Sequence, residues 1–395
     1  MTLATVETWL DLGLPERLPH AITDKADSLP AKVAFLTGRL APVTASRLAE
    51  LLFVTNSYCS NLIEGQLCEP FALQKSQKAS NRERTLAQDP AVRHMAVQRL
   101  FERVLRRKRH DFSLLFSPGL ITALHRRLFN STDENSRLLP SGRVLIPGQL
   151  RSGPDDEVIV GTHAPPRATS VMWILEHLQK VYVGTEDPRR RLVAALAYHH
   201  RLAWLHPFLD GNGRVARMVT HLQLNEIGLQ THLWSLSRGL AHRRDEYYRV
   251  LAMADRLREG GCAGRGQMSQ KHFFAFIEFM LDVCHGQVDY MTEALNRDRL
   301  RERLIRSFRT NENLLAAGIR QESAPAVLAL LLQGALPRSE FKTFTGLTSR
   351  PAINELSRLV KAGIVVSPTP KSRTVEPGLP SWFAQDIFPG LHLRF

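Results

Sequence analysis

Between positions 206 and 217 the chain reads His206-Pro-Phe-Leu-Asp210-Gly211-Asn212-Gly213-Arg214-Val-Ala-Arg217. Each residue type here has a chemical use. Imidazole changes charge near neutral pH, so His206 is a candidate general base. A Gly-Asn-Gly turn that opens a helix exposes backbone N–H groups, and the helix dipole favours an anion there. Gly211, Asn212 and Gly213 are therefore candidate anion ligands. Arg214 and Arg217 add planar guanidinium forks that match phosphate oxygens. Asp210 is the one carboxylate of the segment, suited to holding Mg²⁺ through one or two oxygens. A base, a metal ligand, an anion cradle and two arginines so close together describe a site for phosphoryl-type transfer.

Two helices must carry this segment. The apolar spacing of Leu192, Ala195, Leu196, His199 and Ala203 predicts a helix over Arg189–Trp204, ending just before His206. On that face His199 reads as a satisfied core histidine. A second helix starts after the glycines, with Val215, Met218, Val219 and Leu222 inward. Upstream, Leu48, Leu51 and Leu52 predict a helix over Thr44–Leu62, with Thr44 as its N-cap. Ala91–Val104 is amphipathic inside a basic stretch, residues 81–110, that holds nine Lys/Arg against three Asp/Glu. That stretch reads as a solvated helix face. Leu138–Pro166 is rich in Pro and Gly and predicts a loop or hairpin around the β-branched run Glu157–Val160. Further helices are expected over Ser170–Val181, Lys271–Cys284 and Asn296–Arg309, with a loop at Glu259–Gly266.

The segment 206–217 resembles the signature of the Fic family, H-P-F-x-D/E-G-N-G-R-x-x-R, with every specified position present. Its approach, His199-x-x-Leu202-x-x-Leu205, is similar too. Pro147-Gly-Gln-Leu-Arg151, Glu157-Val158-Ile159-Val160-Gly161 and His163-Ala-Pro-Pro166 resemble the family's flap, a hairpin that aligns the target segment. Glu246-Tyr247-Tyr248-x-x-Leu251 resembles a stretch near the nucleotide, which makes Tyr247 a candidate nucleotide contact, while Tyr247 and Tyr248 read equally as core aromatics. Ser60-Asn-Leu-Ile-Glu64-Gly65 resembles the family's inhibitory motif, S/T-x-x-x-E-G/N. The Fic-like part covers Thr44–Leu281. The resemblance implies a mainly α fold, a helical bundle with a short β-hairpin flap. It implies transfer of AMP from ATP, with Mg²⁺, onto a Ser, Thr or Tyr hydroxyl of a target protein, self-modification included. In it His206 is the base, Asp210 the metal ligand, and Ser60 and Glu64 the inhibitory pair, Glu64 meeting Arg217. Relatives that remove AMP with the same glutamate provide an alternative. A phosphotransferase toxin is disfavoured, because those variants depart from the Gly-Asn-Gly-Arg core.

Past Gln321 the pattern changes. Ala324–Leu332 and Arg338–Phe344 predict helices, Gly346-Leu-Thr a turn, and Ser349–Ala362 a helix with Ile353, Leu356 and Leu359 inward. Ile364–Val366 and Arg373–Val375 predict short strands. Helix, helix, turn, helix and hairpin is the order of a winged helix-turn-helix. Ser349, Arg350, Asn354 and Arg358 are polar enough for a DNA groove in that arrangement, and a protein-docking unit is the alternative. Hence a third reading, a DNA-binding regulator with a nucleotide-sensing core. The expected domains are 1–110, carrying the inhibitory helix; 111–295, the Fic core; 296–320, a helical linker; and 321–395, the winged-helix unit.

Bulk properties frame these readings. Net charge is +14 over 395 residues, which favours acidic partners such as nucleotides or nucleic acid. The four cysteines form no metal-binding spacing, and a reduced, cytoplasmic setting is expected. The start of the chain, MTLATVETWLDLGLPERLPH, lacks a signal-peptide pattern. The most apolar run, Ala324–Leu336, is too short to span a bilayer and reads as a core helix, so no membrane partner is expected. Oligomeric state stays open, a homodimer included.

Overall fold

The computed structural model describes residues 12–70, 89–107, 112–161, 163–185, 187–258, 268–369 and 371–392. The expected loop at Glu259–Gly266, the first eleven residues and part of the basic stretch lie outside them. The described chain is mainly helical, as the sequence predicts.

At its centre stands α6, Pro188–Leu205, which follows α1 (His20–Gly38), α2 (Pro42–Ile63), α3 (Pro90–Arg107), α4 (Pro118–Phe129) and α5 (Val171–Val183). Asp187 caps α6 through Arg189 N, and Pro188 occupies its first turn, where no donor is needed. From Leu192 on, α6 is buried nearly all round, as a helix enclosed by others must be. It packs on α7 (Asn212–Glu226), α1, α5 and the long α10 (Gln270–Ala294), which runs ten residues past the expected end at Cys284. Two short helices, α8 (Leu236–His242) and α9 (Arg244–Ala254), close the bundle against α2 and α10.

The expected cap at Thr44 is corrected. Helix α2 begins at Pro42 behind Ala41, and the Thr44 hydroxyl instead donates to Leu331 O, 2.9 Å away. That acceptor lies in α13 (Ala324–Gln333), which follows α11 (Arg297–Thr310) and α12 (Glu312–Ala316). The expected core helix over Ala324–Leu336 stops at Gln333, because Gly334 adopts φ 83° and Leu336–Pro337 forms strand β1. Helices α14 (Arg338–Phe344) and α15 (Ser349–Lys361) follow, then β2 (Val365–Val366), β3 (Thr374–Pro377) and α16 (Ser381–Ile387). The three strands form an antiparallel sheet in the order β1-β3-β2, with Leu336 opposite Val375 and Val365 opposite Pro377. In α15 the buried apolar positions are Ala352, Leu356 and Leu359. Ile353, expected inward, is 52% exposed, since it sits one residue round from that face.

Candidate active site

Where α6 ends, His206 adopts the left-handed conformation, φ 48° and ψ 61°. That costs a β-carbon-bearing residue on the order of 1 kcal/mol, so the surroundings must impose it. Arg151 does so. Its buried guanidinium donates to His206 O at 2.7 Å, Leu205 O at 3.0 Å, Pro166 O at 2.9 Å and Asp156 O at 3.3 Å. One side chain thus ties the turn to both ends of the segment 157–165. Burial, with Arg151 and His163 close by, pushes the His206 imidazole down to about 4. It is therefore neutral, and a proton acceptor, at physiological pH.

The turn after His206 is held from inside. The Asn212 amide closes on Phe208, accepting from Phe208 N at 2.9 Å and donating to Phe208 O at 2.8 Å. Its side chain is thus structural, and only its backbone belongs to the cradle. Phe208 stacks on His125, with ring centroids 3.8 Å apart. Gly148 N donates to His125 Nδ1 at 2.8 Å, so Nε2 carries the proton and donates to Asp210 O at 3.1 Å. Gly211 has φ 82°, and a β-carbon there would strike the Phe129 ring. Gly211 is the N-cap of α7, and no side chain caps that helix, so its first N–H groups face outward. Asp210 is not the cap. Its half-exposed carboxylate accepts from Arg214 Nη2 at 3.1 Å.

Across this cradle lies the C-terminal end of α2. Arg217 donates from Nε to Ser60 Oγ at 3.0 Å and from Nη2 to Ser60 O at 2.8 Å and Glu64 Oε1 at 2.5 Å. Burial works to raise the Glu64 carboxyl, but Arg217, with Arg214 and Arg244, holds it below its ordinary value. A β-carbon on Gly213 would collide with Glu64 Oε1, so the carboxylate sits directly against the cradle backbone. Gly65 fixes this placement. With φ 76° it makes a left-handed helix end, in which Gly65 N donates to Leu62 O and Gln66 N to Asn61 O. The next residue reaches the second arginine, Arg214 Nη1 donating to Gln66 Oε1 at 3.4 Å.

Tyr247 is placed differently from its expected role. It is buried behind Arg217 and shares a hydrogen bond with it. The Thr220 hydroxyl donates to Ala216 O, so it accepts from His199 Nδ1 at 2.8 Å. His199 Nε2 is then the acceptor for the Tyr247 hydroxyl, 2.7 Å away. Thr220, His199 and Tyr247 form one relay ending on Arg217, and His199 is indeed a fully bonded core residue. The neighbouring Tyr248 is partly exposed and donates to Ile63 O at 3.2 Å, capping the C-terminal end of α2.

The expected flap is a tight loop and contains no named strand. Val160 and His163 exchange both backbone hydrogen bonds, each 2.9 Å. His163 anchors it by donating from Nε2 to Trp204 O at 2.7 Å. Glu157 accepts from Ala168 N at 3.0 Å, Val158 is half-buried, and Ile159 stands 79% exposed at the tip.

The structure thus brings His206, Asp210, the glycine turn, Arg214, Arg217, Ser60 and Glu64 into one site. Sequence reasoning missed Gln66, His125 and Arg151 as contributors. Arg151 stands inside the flap-like segment, but only the fold shows that its guanidinium clamps the turn at His206.

Residues 115–224 match the model of the Fic/DOC family. Two curated proteins named "Protein adenylyltransferase Fic" are similar: one from Drosophila persimilis, 26% identical over 136 residues, and one from Drosophila erecta, 27% identical over 139 residues. Each alignment covers 34% of this chain, and the chain spans about a quarter of their length, 23% and 24%. Among solved structures, a Fic family protein from Desulfovibrio desulfuricans G20 superposes with a TM-score of 0.50 at 19% identity, covering 92% of this chain and 97% of that one. Fic-1 from C. elegans superposes with a TM-score of 0.50 at 16% identity, covering 69% and 72%. A matching family model, neighbours of the same fold and the motif seated at the start of α7 together make residues 115–224 a domain similar to the Fic/DOC family.

Proposed function

We propose that the protein is an adenylyltransferase that moves AMP from ATP to a hydroxyl of a target protein and is held at rest by Glu64. The observation that carries this reading is the meeting of a neutral His206 with an uncapped α7 N-terminus whose two arginines are already engaged, Arg217 by Glu64 and Arg214 by Asp210 and Gln66. The phosphates of ATP would lie on the N–H groups at Gly211–Gly213 and on Arg214 and Arg217. A Ser, Thr or Tyr side chain of the target would lie along the loop 157–163. His206 takes the hydroxyl proton as the oxygen bonds to the α-phosphorus, and the bond to pyrophosphate breaks. The curated relatives' name, adenylyltransferase, supports the same chemistry.

A magnesium ion fits this site. Asp210 Oδ1 has no hydrogen bond among the described residues, and no group of three or more His, Cys, Asp or Glu there could hold a metal. An ion resting on Asp210 alone would keep water and phosphate as its other ligands, as Mg²⁺ commonly does. Bound there, it would neutralise phosphate charge.

In a resting state Glu64 occupies Arg217 and presses on Gly213, where a phosphate would sit. The test is mass spectrometry of Glu64→Gly protein incubated with ATP, Mg²⁺ and cell lysate. An AMP-sized addition, on the chain or on a lysate protein, is expected and should be absent with wild type. A phosphate-sized addition would overturn the reading. If the variant instead loses the ability to strip AMP from a modified target, the removal chemistry takes its place. The C-terminal elements from α13 to β3 we read as a winged helix, supported by their order and by exposed Ser349, Arg350, Asn354 and Arg358. If it holds DNA, a mobility shift at low salt should weaken steeply as salt rises.

A further inference from the structure

The seam between α2 and α7 that holds Glu64 against Arg217 continues beyond that pair. One turn after Arg217 comes His221 and one turn before Ser60 comes Asn56, and there the seam opens into a cavity of about 550 Å³ walled by α2, α3 and α7. That volume is in the usual range for a small-molecule site. Its floor is polar and buried. Asn56 Nδ2 donates to Gln98 Oε1 at 2.9 Å, Gln98 Nε2 to Glu102 Oε1 at 2.8 Å, and His221 Nε2 lies 2.8 Å from the same Glu102 oxygen.

Three features of this floor and its rim point to a ligand. Glu102 spends Oε1 on these partners, while among the described residues Oε2 meets only Arg106, 3.8 Å away and 76% exposed. The Thr231 hydroxyl lines the cavity in a residue only 4% exposed, and its oxygen has no partner among the described residues. An unsatisfied buried hydroxyl is costly, on the order of 1–3 kcal/mol, so something must justify it. At the rim, Arg99 lays its guanidinium 4.6 Å over the Phe53 ring, a flat cationic wall, with Arg106 beside it. Glu50, the acid at the rim, is paired with Arg47 at 3.3 Å.

The second Glu102 oxygen accepts, and the Thr231 hydroxyl can accept or donate, so the floor asks for a head that bears a donor beside an acceptor. A flat cation–aromatic wall asks for a planar one, and two arginines at the mouth ask for an acidic tail. We propose that this cavity binds a mononucleotide whose base carries an exocyclic amino group, its amino edge on Glu102 and Thr231 and its phosphate on Arg99 and Arg106. The site is separate from the cradle at α7, and the proposal does not depend on the transfer chemistry.

The experiment is calorimetric titration of the full chain with AMP, CMP, IMP and UMP. AMP and CMP are expected to bind at least tenfold more tightly than IMP and UMP. Glu102→Gln should weaken AMP binding about tenfold, the loss of a hydrogen bond to a charged group. Thr231→Val, which keeps the shape, serves as the second variant if Glu102→Gln fails to fold by circular dichroism. Arg214→Ala should leave this binding unchanged. Equal affinity for amino and oxo bases, no binding of any of the four, or loss in Arg214→Ala with Thr231→Val unaffected would each overturn the proposal.

Discussion

At the scale of single residues, the site depends on side chains that are neutral or charged because of where they lie. His206 must be uncharged to accept a proton. With its imidazole pushed down to about 4, the neutral form persists as pH falls through the ordinary value of 6.5 and is lost only near 4. The acid limb of kcat/KM for Glu64→Gly protein should therefore lie well below pH 6; a limb at 6.5 would show an unperturbed base. His206→Ala should abolish transfer and leave ATP affinity nearly intact, read by calorimetry alongside the rate. Arg217 is aimed by the relay of Thr220, His199 and Tyr247. Tyr247→Phe removes the hydroxyl between Arg217 and His199. In the Glu64→Gly background it should raise KM for ATP about tenfold with little change in kcat, because a loosened arginine weakens ground-state and transition-state binding together. A change confined to kcat would place Tyr247 in the chemical step instead.

At the scale of elements, the Glu64–Arg217 contact is a property of how α2 ends. Gly65 carries φ 76°, and the two helix-closing hydrogen bonds aim Glu64 and Gln66 at Arg217 and Arg214. Gly65→Ala would strain this turn by roughly 1 kcal/mol. Transfer by that variant should rise severalfold, between wild type and Glu64→Gly, measured as initial rate of AMP incorporation. No rise would separate the turn from the inhibition. The same element shows what a sequence can disclose. The residues of 206–217 are neighbours in sequence, so their types and spacing alone point to an anion-binding turn, whereas Ser60 and Glu64 stand out only through the motif they resemble. Arg151 and Gln66 escaped because their partners are backbone carbonyls and an arginine far along the chain. Tyr247 was assigned to the nucleotide because sequence order cannot tell the near side of Arg217 from the far side. Ile353 was placed inward on apolarity alone, and the real face runs through Ala352 and Leu356.

At the scale of the whole molecule, α2 belongs to two neighbourhoods. Its C-terminal end closes the candidate site. Along the rest of its length it is gripped from the C-terminal part of the chain. Thr44 bonds to Leu331 O, Arg47 pairs with Glu376 at 2.8 Å, and Thr55 lies 3.1 Å from His392 Nε2. Arg238 fastens the tail that carries His392 by donating to Gly390 O at 2.6 Å. A chain ended at Arg320 loses all three grips on α2. It should transfer AMP severalfold faster than the full chain, with Glu64→Gly adding less to it than to the parent; equal rates would show that α2 is held by the core alone. The grips also have a consequence in time. They join residues 287, 329 and 337 positions apart, so they form only after nearly the whole chain has left the ribosome. At about 5–20 residues per second of synthesis, α2 and the core wait tens of seconds for those partners. For that interval α2 lies beside the turn at His206 without those grips, and under the proposed inhibition each newly made molecule passes once through a less guarded state before the tail locks down.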